Sequence, residues 1–183
     1  MELTTGGLSP VFLRENPQPL AAHGFYSRTL LDVEFDGTIR VRRYLCRCCK
    51  RTVSLLPEFA LPYLRFGIVV IAFSLVARLL LGLTLKAAAD AAELVTMPYQ
   101  RGQFWVRGLR QQAEKLCAAL AAFVAPPAAP DFTSRSLQML ASIGWIGAHR
   151  FLFGELRVHL LGWPAFLAPA GRIAALPSAL PPG

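Results

Sequence analysis

Acidic residues and lysine are scarce in this chain. Asp and Glu total 11 against 19 for Lys and Arg, and only three of those 19 are lysine. The formal net charge is +8, and the sequence pI is about 9.9. An arginine excess of this size suits a polyanionic partner, which means nucleic acid or an anionic membrane surface. Charged residues are still only 16% of the 183 residues and apolar ones 54%, which excludes a chain disordered throughout.

Cysteine is also rare, and its placement excludes a disulfide scaffold. Three of the four cysteines, Cys46, Cys48 and Cys49, lie within one tetrapeptide, and Cys117 is far away in the sequence. Neighbours this close cannot join distant segments, so a metal or a reduced thiol cluster is the better interpretation. The first residues carry no basic and apolar leader of the secretory kind, and we therefore expect a cytoplasmic location.

The residues that catalysis would need are missing as a set. No glycine-rich loop that could cradle phosphate is visible, and a catalytic domain of 200 residues or more is excluded by length. Asp90, Asp131 and Glu155 are scattered over helical stretches and a linker, without a series of strands to gather them around two metal ions. His149 and His159 have no cysteine or paired carboxylate nearby, and we expect them at the surface or partly packed. We predict that the chain is not an enzyme.

Two runs of alternating apolar and polar residues, 29–35 and 38–44, predict antiparallel strands. Asp36 and Gly37 separate these runs. They predict a two-residue turn, because both central positions of a type I′ turn favour positive φ. A third short run, 52–55, could complete a three-stranded sheet.

From Pro57 onward the sequence has helical character. Residues 66–85 are almost continuously apolar, a composition compatible with a membrane span. Arg78 lies inside this run and disfavours insertion, so we predict a buried helix here. A short Ala-rich helix is predicted over 85–92, a break over 95–98 and a longer helix over 99–124.

The longer predicted helix has an apolar face and a polar face. The short helix, the break and this longer helix follow one another in the order of a helix-turn-helix, with the longer helix as its second helix. Gln103 and Arg107 lie one turn apart near its start, and both side chains can form paired hydrogen bonds to base edges. Arg101 and Arg110 flank them as candidate phosphate contacts, whereas Phe104 and Trp105 are expected to anchor the core. The alternative is an ordinary amphipathic hairpin. The apolar face comprises Val106, Leu109, Ala113, Leu116 and Leu120, and the polar face Gln103, Arg107, Arg110, Gln111 and Glu114.

A basic cluster of six positive charges and no acid occupies residues 40–51. Strand alternation places Arg40 and Arg42 on one face and Arg43 on the other. With Tyr44 beside them, these residues predict contacts to nucleic-acid phosphates, and a solvated strand surface is the alternative. The candidate residues are Arg40, Arg42, Arg43, Arg47, Lys50 and Arg51.

Cys46 and Cys49 form a Cys-x-x-Cys pair, a spacing that lets two thiolates bind one zinc ion from a tight turn. A structural zinc site needs four ligands, however, and no cysteine precedes Cys46. His23 is an upstream imidazole, and Cys48 could serve only by changing the geometry of the turn. We predict at most weak or partial zinc binding, with a metal-free remnant and redox chemistry as alternatives.

Residues 23–63 resemble a family of short bacterial transposase-like proteins related to insertion-sequence transposases. The likeness rests on His23-Gly24-Phe25-Tyr26, on Arg43-Tyr44-Leu45-Cys46 with Cys49, and on Arg51-Thr52-Val53-Ser54 followed by Leu-Leu-Pro, and it continues more weakly to Val124. The resemblance implies an N-terminal zinc ribbon, with Cys46 and Cys49 as its second knuckle, and then a helix-turn-helix. The family's first Cys-x-x-Cys would fall within 13–19, where both ligands are missing, so we expect a degenerate ribbon.

Together these features predict an α+β protein with a small antiparallel β ribbon, a degenerate zinc ribbon, followed by a mainly α-helical helix-turn-helix-like region. We predict a DNA-binding, non-catalytic or degenerate protein of a mobile element, with a separate transposase subunit or a second copy as further partners. The alternatives are a small membrane protein with one span near 66–85 and a basic cytosolic head, and an inactive remnant. The predicted segments are a loose arm (1–22), a ribbon (23–56), a helical region (57–124), a Pro-rich linker (125–133) and a C-terminal helix with an Ala/Pro-rich tail (134–183).

Overall fold

A computed structural model describes residues 20–48, 50–92 and 97–162 of the chain. Its strands are β1 (Leu20–Asp32), β2 (Phe35–Cys46) and β3 (Thr52–Leu55). The helices that follow are α1 (Ile68–Leu79), α2 (Leu85–Ala91), α3 (Tyr99–Leu120), α4 (Phe132–Ile143) and α5 (Trp145–Gly154). The predicted α+β class, a small antiparallel sheet followed by helices, is confirmed.

The sheet is antiparallel with the order β1-β2-β3, and its first hairpin turns earlier than predicted. Asp32 pairs with Phe35, so the turn residues are Val33 and Glu34. Neither has positive φ, which excludes a type I′ turn. The predicted turn at 36–37 was therefore wrong.

Gly37 lies within β2 because its missing side chain makes room for an aromatic ring. A Cβ at this position would lie 3.1 Å from Cζ of Phe35, whose ring covers the glycine. Beyond it, Ile39 and Val41 point to the same side as Leu30, and these three side chains are buried together. The register is thus set by packing on one face of the sheet, which a glycine-based turn signal does not detect.

Backbone hydrogen bonds at the edge of β1 tie the sheet to the helices. The N–H of Leu31 donates to the carbonyl of Arg65 over 2.8 Å, and the N–H of Gly67 donates to the carbonyl of Leu31 over 2.8 Å. Gly67 also lies against the carboxylate of Asp32, where a Cβ would collide. This junction fixes the start of α1 directly beside the sheet.

The helical core is built on α1 and α3. In α1 the side chains of Ile68, Ile71 and Leu75 are buried, which confirms the buried helix predicted within 66–85. Its 12 residues span only about 18 Å, against a hydrocarbon thickness of about 30 Å. Among the described residues, no helix combines the length and apolar character needed to cross a membrane.

The apolar face of α3 packs against its neighbours as its periodicity predicts. Leu109, Ala113, Leu116 and Leu120 are buried, whereas Val106 is only half-buried. Beyond α3 the predicted C-terminal helix proves to be two, α4 and α5, which are separated at Gly144 with φ of 92°. Residues 163–183 of the predicted tail, and 1–19 of the predicted arm, lie outside the described residues.

Candidate nucleic-acid interface

One side of α3 carries a row of polar side chains that do not pack in the core. Tyr99, Gln103, Arg107 and Arg110 recur every three or four residues, so they follow one another along a single face of the helix. All four are exposed, as the sequence predicts for Gln103, Arg107 and Arg110. We call these four residues the α3 stripe.

A groove with a volume of about 500 Å³ runs beside the α3 stripe. Arg78, at the end of α1, contributes to its wall and donates a hydrogen bond of 2.7 Å to the carbonyl of Leu83, which holds the guanidinium near the stripe. None of the described residues that line the groove is acidic. The lining comprises Arg78, Leu85, Tyr99, Gln103, Val106, Arg107, Arg110 and Gln111. The groove therefore presents three arginines to a ligand of negative charge.

Three other residues at the start of α3 follow the predictions only in part. Trp105 is fully buried and meets the ring of Phe66 edge-on at 5.1 Å, which confirms it as a core anchor. Phe104 is 47% exposed, so its predicted core role was wrong. A step of 100° per residue turns Phe104 away from Trp105 and toward solvent. Arg101 is half-buried and does not line the groove.

Arginine and aromatic side chains alternate on one face of the sheet. Phe25 lies directly opposite Arg42, and Arg40 follows on the same face. The guanidinium carbons of Arg40 and Arg42 lie 4.7 Å and 4.6 Å from the centre of the Phe25 ring. Arg42 is also 5.6 Å from the ring centre of Tyr44. We call Phe25, Arg40, Arg42 and Tyr44 the sheet cluster.

The remaining residues of the basic cluster point elsewhere. Arg43 lies on the opposite face of β2, as alternation predicts, and donates a hydrogen bond of 3.0 Å to Oγ1 of Thr52. Arg47, Lys50 and Arg51 are exposed on the connection between β2 and β3. The six basic residues proposed from the sequence are thus divided among two sheet faces and a turn.

The same turn holds the cysteines. Cys46 is buried at the end of β2, and Cys48 is exposed. The N–H of Cys46 donates to the carbonyl of Arg51 over 2.9 Å, and the N–H of Lys50 donates to the carbonyl of Cys46 over 2.9 Å. Lys50 has φ of 57°, a left-handed conformation that closes the turn. The structure thus brings the start of the Cys-x-x-Cys pair into a tight, hydrogen-bonded turn, while Cys49 lies outside the described residues.

Of the two further candidate ligands, Cys48 lies in that turn and His23 does not. His23 is exposed at the irregularity in β1 between Ala22 and Gly24, whereas Cys46 lies opposite Leu20. Three residues along a strand correspond to about 10 Å. Within the described parts of the chain, no group of three or more His, Cys, Asp and Glu side chains could hold a metal ion. Those parts do not complete a four-ligand site, and zinc binding stays a prediction.

His149 and His159 are both buried, so the prediction of surface or partly packed positions was wrong. Burial, together with the charge of His159, lowers the pKa of His149 to about 4. Burial also lowers the pKa of His159, whose Nδ1 accepts a 3.1 Å hydrogen bond from the N–H of Leu161. The sequence carried a weak sign of this burial, because His149 is three residues before the buried Leu152 on α5.

Comparison with known proteins gives one family match. Residues 17–92 match the family described as a domain of unknown function, DUF6431. The matched segment includes the whole sheet, α1 and α2, whereas the α3 stripe lies beyond it. Searches of curated proteins and of solved structures found no match.

Proposed function

We propose that this chain binds double-stranded DNA through the α3 stripe. The observation that carries the proposal is the groove beside α3, where Arg78, Arg107 and Arg110 converge without an acidic neighbour in its lining. A cleft lined by one sign of charge concentrates the electrostatic attraction for a polyanion. Duplex DNA offers a repeating line of negative charge to such a surface.

The chemistry of the stripe supports contacts to bases as well as to phosphates. Gln103 and Arg107 lie four residues apart, which is about 6 Å along the helix, so both could enter the same major groove. A glutamine amide pairs well with adenine and a guanidinium with guanine. Arg110 and Arg78 line the same groove and would contact neighbouring phosphates.

The packing of α3 supports a helix-turn-helix-like use of this helix. A Cβ on Gly102 would lie 3.3 Å from Cδ2 of Leu85, so α3 and the start of α2 are in close contact. Trp105 and Leu109 fix the other side of α3 in the core. The supporting helices therefore hold the buried face and leave the polar face for the ligand.

An association with a mobile element is part of the proposal and rests on the resemblance of residues 23–63 to transposase-like proteins. In this view the chain is a non-catalytic DNA-binding component, and a separate transposase subunit or a second copy would act with it. The turn at Cys46 would be what is left of a zinc ribbon.

Selection of preferred sites from random duplexes, followed by affinity measurements, tests the proposal. Replacing Gln103 or Arg107 by Ala should weaken the free energy of binding to the selected site by about 1–3 kcal/mol and change binding to random DNA little. Gln112 → Ala is the matched control, because Gln112 lies on the same helix, is half-buried and does not line the groove. If no sequence is enriched, or if the losses are equal on both kinds of DNA, α3 does not read bases.

A further inference from the structure

The sheet cluster is a second surface with a chemistry of its own. Phe25 is 49% exposed although it lies in the middle of a strand, where a large apolar ring would normally be covered. Its neighbours along the same face of β1 are Ser27 and Thr29, which are exposed and short. The side chains of its own strand therefore do not cover the ring.

Two arginine side chains of β2 contact this ring through their guanidinium groups. Arg42 lies between Phe25 and Tyr44, with ring-centre distances of 4.6 Å and 5.6 Å, and Arg40 is 4.7 Å from Phe25. Nε of Arg42 is buried and has no hydrogen-bond partner among the described residues. The aromatic and guanidinium planes are thus presented together on one surface.

The charges around this surface favour a polyanionic ligand. The acidic residues of the first hairpin, Asp32, Glu34 and Asp36, all lie at or next to its turn. The segments 20–31 and 37–57, which form the rest of the sheet, contain no acid. The part of the sheet that carries Phe25 and Arg42 therefore has no acidic residue of its own to offset its positive charge.

We propose that the sheet cluster is a site for single-stranded DNA, in which an unpaired base stacks on the exposed part of the Phe25 ring while the guanidinium groups of Arg40 and Arg42 supply the positive charge around it. Exposed aromatic rings and arginine planes on a positively charged surface are the features that single-stranded DNA sites use, because every base has a face that can stack. In a duplex these base faces are hidden in the helical stack, so Phe25 has no equivalent partner there. Arg40 is exposed and would contact the phosphates that connect the stacked bases.

This site lies on different elements from the α3 stripe and does not depend on duplex binding. The test uses the full chain and a fluorescent oligothymidylate of about 12 nucleotides, within the usual length for single-strand sites. Phe25 → Leu should weaken binding of this oligonucleotide roughly 5- to 150-fold, the range that loss of one stacked base gives. The affinity for duplex DNA should stay unchanged.

A matched control is available on α4. Phe132 is 48% exposed and has the guanidinium of Arg135 at 5.6 Å from its ring centre, so it reproduces one arginine–phenylalanine contact away from the sheet. Phe132 → Leu should leave oligothymidylate affinity unchanged. Phe25 → Tyr, which keeps an aromatic face, should retain most of the binding, and this variant separates stacking from a change in fold.

Salt titration separates stacking from charge. Phe25 → Leu removes no charge and should leave the slope of log affinity against log salt unchanged, whereas Arg40 → Ala should reduce it by about 0.7. Equal affinities of Phe25 → Leu and Phe132 → Leu for the oligonucleotide would overturn the proposal. Duplex binding without oligothymidylate binding would overturn it too while leaving the α3 proposal intact, and the reverse result would refute α3 alone.

Discussion

Gly108 of α3 lies directly against the main-chain carbonyl of Leu161, so closely that a Cβ on this glycine would collide with the oxygen. The segment after α5 is thereby packed onto the same helix that carries the α3 stripe. Glycine inside a helix normally costs up to about 1 kcal/mol relative to alanine. At this position the close approach of Leu161 requires it.

We therefore expect Gly108 → Ala to lower the free energy of unfolding by about 1–3 kcal/mol, because overpacking outweighs the gain in helix propensity. Gly147 → Ala on α5 is the control, since nothing lies within 4 Å of a Cβ there, and it should be neutral or stabilise by up to about 1 kcal/mol. Urea unfolding measures both. Stabilisation by Gly108 → Ala would show that Leu161 does not pack on α3.

The buried histidine His149 predicts a loss of stability in mild acid. Burial lowers its pKa to about 4 in the folded chain from the ordinary value of about 6.5. Above pH 6.5 the ring is neutral in both states, so it carries no penalty. As the pH falls from 6.5 toward 4, the unfolded chain takes up a proton that the folded chain does not. The free energy of unfolding therefore decreases by about 3 kcal/mol over this interval.

Urea unfolding of wild type and His149 → Gln at several pH values measures this effect, because glutamine keeps polar groups but does not titrate. The difference in unfolding free energy between the two proteins should change with pH between 6.5 and 4 and be constant above 6.5. A difference that does not vary over that interval would mean that His149 is accessible to protons in the fold.

The turn at Cys46 gives a prediction about zinc. Because the described residues supply no complete set of ligands, we expect at most weak or partial zinc occupancy in protein purified without chelator. A true structural site would contribute on the order of 10 kcal/mol, and its loss would unfold the ribbon. Elemental analysis, with circular dichroism before and after chelation, measures this. One zinc per chain that is lost together with the fold would contradict the prediction.

Part of the sheet and the core face of α3 could be predicted because each depends on a local pattern. Alternation over residues 29–35 and 38–44 indicates strands, although β1 begins as early as Leu20. The three- and four-residue spacing of Leu109, Ala113, Leu116 and Leu120 indicates a buried helix face. These periodicities follow from backbone geometry alone. They also placed Gln103, Arg107 and Arg110 correctly on the exposed side of α3.

The features that could not be predicted depend on residues distant in the chain. The hairpin turn was misplaced because Gly37 accommodates the ring of Phe35, a packing role that a turn signal does not reveal. Arg78 joins the α3 stripe only through the fold of α1 against α3. Likewise, the contact between Phe25 and Arg42 depends on the register of β1 and β2, which no local sequence pattern reveals.

The salt dependence of duplex DNA binding tests the central claim most directly. Affinity of the full chain for a selected duplex should fall steeply as salt rises, and Arg110 → Ala should reduce the slope of log affinity against log salt by about 0.9. Arg150 → Ala is the matched control: it removes the same charge from an exposed site where Arg150 pairs with Glu58 at 3.5 Å, and it should leave the slope unchanged. Equal slopes for the two variants, or no salt-dependent affinity in wild type, would contradict DNA binding by the α3 stripe.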